Sequence, residues 1–343
     1  MAEKVLMKGN EALAESALRA GCRFFFGYPI TPQTELAAYM SKRMEKVGGT
    51  FLQAESEIAA INMVYGAAAA GARVMTSSSS PGISLKGEGI SYMAGADLPG
   101  VIINVQRGGP GLGGIQPSQA DYWQATRALG HGDFRVVVYA PSTVQEMADL
   151  AFTAFDVADQ YRTPVMILAD GMLGQMMEPV VMPEPVDSLP EKPWAACGHK
   201  HQRPHNVVNS LYLTAEALEN LNVERYERYA AIERDEQRAE AFMTDDADIV
   251  VVAFGASARG RGSRERRQSR PRPPHHPVAV PRGRHRGHHP SGEGLPVGGD
   301  EHGPDGGRRA PDRGRPPPGG LLRPHRRHHP DPRRGPGQDR GHG

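Results

Sequence analysis

Apolar and polar positions over residues 1–182 alternate in the pattern of a parallel α/β domain. Apolar residues at helical spacing predict helices over residues 10–21 with Asn10 as cap, 34–44, and 56–70 before Gly71. Short and nearly continuous apolar runs predict buried parallel strands at residues 23–26, 50–53, 74–75, 101–105, 136–139 and 165–168. We therefore expect a doubly wound parallel sheet over residues 1–182.

The remainder of the chain divides into three parts. Residues 183–247 predict a proline-rich acidic linker followed by a charged helical connector at 214–243. Residues 248–259 predict the start of a second α/β domain, with a strand at 250–252 and a turn at 255–257. The globular pattern ends at Arg259.

The segment between the first predicted strand, at residues 23–26, and the helix that follows it has unusual chemistry. It reads Gly27-Tyr28-Pro29-Ile30-Thr31-Pro32-Gln33-Thr34. Pro29 and Pro32 fix φ and disfavour helix before them, so we expect a rigid, extended elbow that displays Thr31. The alternative is an ordinary turn in which Thr31 caps the next helix.

Two further loops are expected to share the elbow's edge of the sheet. Residues 76–82 are serine-rich, and residues 107–114 combine Arg107 with a glycine run. The carboxyl ends of parallel strands form the usual ligand-binding edge. The glycine run lacks a Walker lysine and the dinucleotide spacing, so we favour a lid or substrate wall over a phosphate loop. Arg107 is a candidate for pairing with a carboxylate, and the alternative is a surface arginine.

Two acidic residues, Glu55 and Glu57, open the predicted helix at 56–70. An acid in a first turn is usually explained by the helix dipole. Here the flanking residues are apolar, so we expect one of the two carboxylates to be partly desolvated and suited to sharing a proton with a ligand nitrogen.

The net charge of +1 hides a division of the chain. Residues 1–259 hold 21 Lys+Arg and 31 Asp+Glu, whereas residues 260–343 hold 19 Arg, no Lys and 8 Asp+Glu. No apolar run approaches the ~18 residues of a spanning helix and no apolar leader is evident, so we expect a cytoplasmic protein without membrane contact. The two cysteines, Cys22 and Cys197, cannot supply the four thiolates of an iron–sulfur cluster.

These motifs resemble a known family. They are Tyr28 to Pro32, then Ser56-Glu57 leading into Ala59-Ala60 and Tyr65-Gly66-Ala67, then Arg107 to Gly111. In this order they are similar to the α subunit of the thiamine-diphosphate-dependent 2-oxoacid:ferredoxin oxidoreductases, over residues 7–183 and weakly over 248–259. The resemblance implies a pyrimidine-binding domain over 1–182 and the start of a transketolase C-terminal-like domain at 248–259.

The resemblance also implies roles for individual residues. Glu57 would hydrogen-bond the pyrimidine ring and thereby activate the cofactor, while Tyr28, Pro29 and Ile30 would line the cofactor site. Thr31 and Arg107 would hold the carboxylate of the 2-oxoacid.

Several functions implied by the family are missing from this sequence. It has no Gly-Asp-Gly motif for a magnesium-bound diphosphate, the nearest match being Ala169-Asp170-Gly171. The resemblance therefore implies a β subunit that carries the diphosphate site, Mg²⁺ and a 4Fe–4S cluster, together with γ and δ subunits. Ferredoxin would accept the electrons, and coenzyme A would accept the acyl group.

Two segments bear on the substrate. Residues 77–82 and 113–123 resemble the branched-chain 2-oxoisovalerate branch rather than the 2-oxoglutarate branch. We therefore expect 3-methyl-2-oxobutanoate as substrate, with 2-oxoglutarate or pyruvate as the alternative. Ile115, Tyr122 and Trp123 would line an apolar pocket or, equally, belong to the core.

Residues 260–343 lack Ile, Met, Phe, Tyr, Trp, Lys, Asn, Thr and Cys, so they predict a disordered tail. An RNA-binding basic arm is one interpretation, although nucleic acid binding is disfavoured because no aromatic residue is present to stack on bases. We favour a frameshift near Gly260. Codons permitted for residues 273–281, read one base later, can spell Arg-Pro-Ile-Thr-Leu-Trp-Pro-Phe-Pro, and residues 299–306 and 321–330 yield further strings that resemble the family's carboxyl-terminal domain.

Overall fold

The computed structural model describes residues 3–127, 129–242, 244 and 250–259, together with the backbone of Val278–Ala279. All of these belong to the compact unit Met1–Arg284. The predictions of a disordered tail, an RNA-binding arm and a frameshift concern residues 260–343, which lie outside the described residues apart from that short strand.

The described elements alternate as expected of an α/β protein. The strands are β1 Val5–Lys8, β2 Phe24–Gly27, β3 Thr50–Gln53, β4 Val74–Ser78, β5 Gly100–Gln106, β6 Val137–Ala140, β7 Pro164–Asp170, β8 Met177–Val180 and β9 Val278–Ala279. The helices are α1 Gly9–Arg19, α2 Thr34–Arg43, α3 Glu57–Ala69, α4 Ser80–Gly95, α5 Tyr122–Thr126, α6 Val144–Tyr161, α7 Gly171–Gln175, α8 Ala215–Asp235 and α9 Gly255–Arg259. A short 3-10 turn occupies Glu45–Val47.

The main sheet has the strand order β3-β2-β4-β5-β7-β6-β9. Every pairing among its first six strands is parallel, and β9 pairs antiparallel with β6. The chain leaves β2 for β3 on one side and then crosses to β4 on the other, so the strand order reverses at β2 and β4. The predicted doubly wound α/β fold is therefore confirmed, with its switch point beside the elbow.

Continuous burial explains why the central strands have uniform apolar patterns. Every residue of β4, β5 and β7 is buried, because helices cover both faces of the sheet. One core contains residues of α1, α2 and α6, and the second contains residues of α3 and α4. No helix in the described part of the chain is both long and apolar enough to cross a membrane.

Some local predictions were wrong. Asn10 does not cap α1, whose N-cap is Lys8. Instead Asn10 is buried within the helix, where its side-chain amide donates to the Pro32 carbonyl at 2.9 Å and to Glu35 at 3.1 Å. A tertiary contact with the elbow thus replaced the local capping role that Asn usually has. The connector helix begins as predicted after its cap Thr214 but ends at Asp235, short of residue 243.

A small antiparallel ribbon of β1 and β8 was not anticipated, because both strands are short and only partly buried. The strand predicted at 250–252 was also wrong: these valines are exposed and outside any strand, and the residues after Phe254 form α9. An apolar run forms a strand only when a neighbouring strand satisfies its backbone.

Candidate functional site

The candidate site lies where four neighbouring parallel strands end. The strands β3, β2, β4 and β5 are adjacent in that order and lead into Glu57, the elbow, Ser79 and Arg107 respectively. The three loops singled out from the sequence therefore share one edge of the sheet, at its switch point. This edge is where open α/β sheets bind ligands.

The elbow follows β2 and is fixed from several sides. Gln33 is buried, and its amide donates to the Tyr28 carbonyl at 3.3 Å while its oxygen accepts from the Ser77 hydroxyl at 2.6 Å. Tyr28, Pro29 and Thr31 are exposed and Ile30 is half-buried. The N-cap of α2 is Gln33, so the alternative in which Thr31 caps the helix is wrong.

Of the two candidate carboxylates, the structure buries one. Glu55 is exposed, whereas Glu57 is 6% exposed at the first position of α3. Ser56 is the N-cap, and its hydroxyl accepts from the Ala59 amide at 3.2 Å. The apolar neighbours Leu52 and Ile58 point outward, so they do not bury the carboxylate as the sequence suggested.

Helix α4 is what covers Glu57. A Cβ built on Gly82 would lie 2.6 Å from Glu57 Oε1 and 2.1 Å from Ser78 Oγ, so the backbone of α4 approaches the carboxylate directly. Among the described residues, the buried Oγ atoms of Ser78 and Ser79 and the Nζ atom of Lys86 have no hydrogen-bond partner. Buried polar atoms are normally paired, so this part of the site is equipped for a ligand or ordered water.

Arg107 is the second charged residue brought to this edge. It is 6% exposed, and it donates from Nη1 to the Thr31 carbonyl at 3.0 Å and from Nη2 to the Leu112 carbonyl at 2.7 Å. Among the described residues no carboxylate forms an ion pair with it, and its buried Nε has no partner. A buried guanidinium without a counter-ion favours binding of an anion, because the uncompensated charge is costly. The alternative of a surface arginine is wrong.

A polar network that the sequence did not reveal holds Arg107 in place. The Ser80 hydroxyl accepts from the Arg107 backbone amide at 3.0 Å and donates to the Asp121 carboxylate at 2.6 Å. Asn104 donates to the same carboxylate at 2.9 Å, and its oxygen accepts from the Ser80 amide at 3.1 Å. The partners are 17 to 41 residues apart in sequence, so no local pattern could have paired them.

The glycine run forms a closed loop around Arg107. The Gly108 amide donates to the Gln116 carbonyl and the Gly114 amide donates to the Gly108 carbonyl, both at 2.9 Å. Gly113 has φ of +64°, and a Cβ there would meet the Gly108 carbonyl oxygen at 1.8 Å, so only glycine fits. This geometry supports the interpretation as a wall of the site.

Asp170, the nearest match to a diphosphate motif, has a structural role. Its Oδ1 accepts from the Met172 and Leu173 amides at 3.0 Å, which caps α7. Its Oδ2 accepts from the Ala256 amide at 3.0 Å and so holds the start of α9 against the carboxyl end of β7. The carboxylate is thus occupied by backbone donors.

The aromatic and apolar residues after the glycine run are mostly outside the core. Ile115 is 62% exposed and Trp123 is 61% exposed, so the interpretation of these two as core residues is wrong. Tyr122 is half-buried and its ring lies 6.0 Å from that of Phe254. Cys22 is buried and Cys197 is exposed, and no group of His, Cys, Asp or Glu in the described part of the chain is arranged to hold a metal.

Comparisons with known proteins agree with this geometry. Residues 15–244 match the family described as "Pyruvate flavodoxin/ferredoxin oxidoreductase, thiamine diP-bdg". The chain is 54% identical over 255 residues to the ketoisovalerate oxidoreductase subunit VorB of Methanothermobacter marburgensis, covering 74% of this chain and 72% of that protein. It is 37% identical over 292 residues to the 2-oxoglutarate synthase subunit KorA of Methanothermobacter thermautotrophicus, covering 76% of each.

A solved structure is similar in fold. It is a 2-oxoglutarate:ferredoxin oxidoreductase from Magnetococcus marinus with 2-oxoglutarate, coenzyme A and succinyl-CoA bound. The TM-score is 0.69 at 25% identity, and the match covers 78% of this chain. The chain spans about half the length of that protein, 52%.

Proposed function

We infer that this chain, which belongs to the pyruvate flavodoxin/ferredoxin oxidoreductase family in its thiamine-diphosphate-binding part, binds the aminopyrimidine end of thiamine diphosphate through Glu57. The family assignment confirms the resemblance drawn from the motifs, and the similarity to ketoisovalerate oxidoreductase subunits confirms the branch. The observation that carries the proposal is the buried Glu57 carboxylate, placed beside Gly82 at the switch point of the sheet.

The residues present fit the cofactor. Gly82 has no side chain, so the Glu57 carboxylate and the Ser78 hydroxyl can lie directly against the backbone of α4. The unpartnered Ser78 and Ser79 hydroxyls are available to polar ring substituents. Tyr28, Pro29 and Ile30 supply an apolar wall on the elbow. This combination of a mostly apolar surface with few polar groups is typical of cofactor sites.

The chain's contribution to chemistry is proton movement at Glu57 Oε. When bound, thiamine diphosphate would supply a nucleophilic carbon and an electron sink for decarboxylation of a 2-oxoacid. Glu57 hydrogen-bonds the pyrimidine ring nitrogen and shares its proton with it. Burial by α4 excludes water from this hydrogen bond and strengthens it.

Arg107 and Thr31 bind the substrate carboxylate. Arg107 has five N–H donors, and its two hydrogen bonds to carbonyls of the chain leave the others for an anion. Because one of those carbonyls belongs to Thr31, the guanidinium is held against the backbone of the elbow that carries this threonine. The planar pair of N–H donors of an arginine guanidinium fits the two oxygens of a carboxylate better than a lysine ammonium does.

We propose 3-methyl-2-oxobutanoate as the substrate, with 2-oxoglutarate or pyruvate as the alternative. The higher identity to ketoisovalerate oxidoreductase subunits supports this choice. The exposed apolar side chains of Ile115 and Trp123 near the site suit a branched apolar substrate, or the partner surface that encloses it.

The remaining components belong to partners in this proposal. A β subunit would contribute the diphosphate site, Mg²⁺ and a 4Fe–4S cluster, because this sequence has no Gly-Asp-Gly motif and only two cysteines. The γ and δ subunits, ferredoxin as electron acceptor and coenzyme A as acyl acceptor complete the proposed assembly. The cytoplasmic location also stays a prediction.

Co-expression with a β subunit tests the proposal. We expect dye reduction that depends on thiamine diphosphate and coenzyme A and is fastest with 3-methyl-2-oxobutanoate. The assay should use both the 343-residue chain and a chain with the reading frame restored after Gly260. Faster turnover of 2-oxoglutarate would establish the alternative substrate, and no turnover of any 2-oxoacid by either chain would contradict the function.

A further inference from the structure

Lys86 is a buried cation that the proposed mechanism does not use. Lys86 lies on α4 and its side chain is fully buried. Its Nζ atom has no hydrogen-bond partner among the described residues. Burial lowers the pKa of Lys86 from 10.5 to about 8, although the Glu57 carboxylate acts in the opposite direction. A lysine in such a position is rare in a domain whose only need is packing.

Helix packing places Lys86 beside Glu57. Gly82 and Lys86 are four residues apart and Gly89 follows three residues later, so the three share one face of α4. Gly82 lies against the Glu57 carboxylate, and a Cβ on Gly89 would meet Ile61 at 2.5 Å. Glu57 and Ile61 are themselves one turn apart on α3, so Lys86 lies between the two contact points of these helices.

Other charged groups near α4 are directed elsewhere. Glu88 accepts from the exposed Tyr92 hydroxyl at 2.6 Å, and Asp121 accepts from Ser80. His131, on the segment packed against α4, lies 3.4 Å from Ser91 Oγ. Strands β4 and β5 contribute no charged residue to this region. Glu57 is therefore the charge that interacts with Lys86.

We propose that Lys86 is a positioning residue for Glu57: its buried ammonium lies beside the carboxylate at the contact of α3 and α4, and it stabilises the negative charge that develops there as the Glu57 proton passes to a bound ring nitrogen. In this transfer the Glu57 O–H bond breaks and an N–H bond forms, with no other reactant. The inference rests on the proposed function for its catalytic meaning. The interaction between the two side chains is independent of any cofactor.

Nuclear magnetic resonance of the full chain, labelled at the lysine ε-carbon, tests the interaction without thiamine. We expect Glu57→Gln to weaken proton binding by Lys86 about tenfold, equivalent to one pH unit in its titration midpoint. Glu88→Gln is the matched control, because Glu88 is also close in sequence but faces away, and it should leave Lys86 unchanged. If the titration midpoint of Lys86 were the same in Glu57→Gln as in the wild type, the proposal would be overturned.

Kinetics of the complex with the β subunit test the consequence. We expect the activity of the wild type to fall above about pH 8 as Lys86 deprotonates. We expect Lys86→Met to lower kcat about tenfold with little change in KM, and to lack this alkaline fall in activity. Lys42→Met, at an exposed lysine, should behave as wild type. A Lys86→Met enzyme with unchanged kcat and pH profile would refute the role. If the magnetic resonance titration shows that Glu57→Gln shifts the Lys86 midpoint, but the complex does not bind thiamine diphosphate, the proposed function and the catalytic role of Lys86 would both be refuted.

Discussion

Replacing Gly82 by alanine places one methyl group against the proposed catalytic carboxylate. The added Cβ would lie 2.1 Å from Ser78 Oγ and 2.6 Å from Glu57 Oε1, contacts that require movement. Ser78 is fully buried on β4 and has little freedom to move, so the displacement falls on Glu57 and on the start of α4. Overpacking of this kind costs about 1–3 kcal/mol of stability, and a shift of about 1 Å in a catalytic group costs about 100-fold in rate.

The matched control is Gly66→Ala on α3. Gly66 is exposed, and a Cβ there would meet nothing within 4 Å. Helix propensity alone therefore makes this alanine stabilising by up to ~1 kcal/mol. We expect Gly82→Ala to reduce 2-oxoacid-dependent dye reduction about 100-fold or more while Gly66→Ala retains full activity. Both variants should be compared by thermal unfolding. A Gly82→Ala enzyme with normal turnover would refute the placement of the active carboxylate at this contact.

Three further variants test other parts of the structure. Arg107→Ala should raise the KM for the 2-oxoacid about 100-fold with a smaller change in kcat, because a charged hydrogen-bond donor is lost, and Arg107→Lys should recover only part of the effect in the same steady-state assay. Lys86→Met should raise the free energy of unfolding at pH 7 by ~3 kcal/mol, because the buried amine binds its proton more weakly in the folded than in the unfolded chain. The destabilisation of the wild type by buried Lys86 is complete below about pH 8 and disappears as the pH rises toward 10.5. The free energies of unfolding of the wild type and Lys86→Met, measured by denaturant titration, should therefore converge over that pH range. Asp170→Ala should lower the free energy of unfolding by ~2 kcal/mol and increase proteolysis near α9, since Asp170 caps α7 and holds the Ala256 amide; equal cleavage rates would contradict this.

The fold of residues 1–182 was largely predictable because its central strands are buried on both faces. The apolar runs in β5 and β7 are long enough to identify strands without an alternating pattern. The edges were less predictable: the β1–β8 ribbon is short and half-exposed, and residues 250–252 have strand-like composition but pair with no strand in the part of the chain that the structure describes. Composition identifies a potential strand, whereas pairing depends on the rest of the chain.

The sequence predicted that the candidate site residues share one edge of the sheet, but it did not predict the contacts that hold them there. Glu57, Thr31 and Arg107 follow adjacent strands, so the sequence could place them at one edge. Burial of Glu57 by Gly82 could not be foreseen, because it depends on how closely α4 approaches α3. Asn10 and Lys86 were missed for a related reason. The local pattern predicted a helix cap at Asn10 and no role for Lys86. The signal available for each was a polar residue on an otherwise apolar helix face.

The central claim is that Glu57 activates bound thiamine diphosphate by sharing a proton with its pyrimidine ring. The most direct measurement is the rate at which the proton on the thiazolium carbon exchanges with deuterium in the complex with the β subunit, for wild type and Glu57→Gln. We predict that the variant still binds the cofactor but exchanges this proton at least about 100-fold more slowly. Equal exchange rates at equal cofactor occupancy would contradict the account.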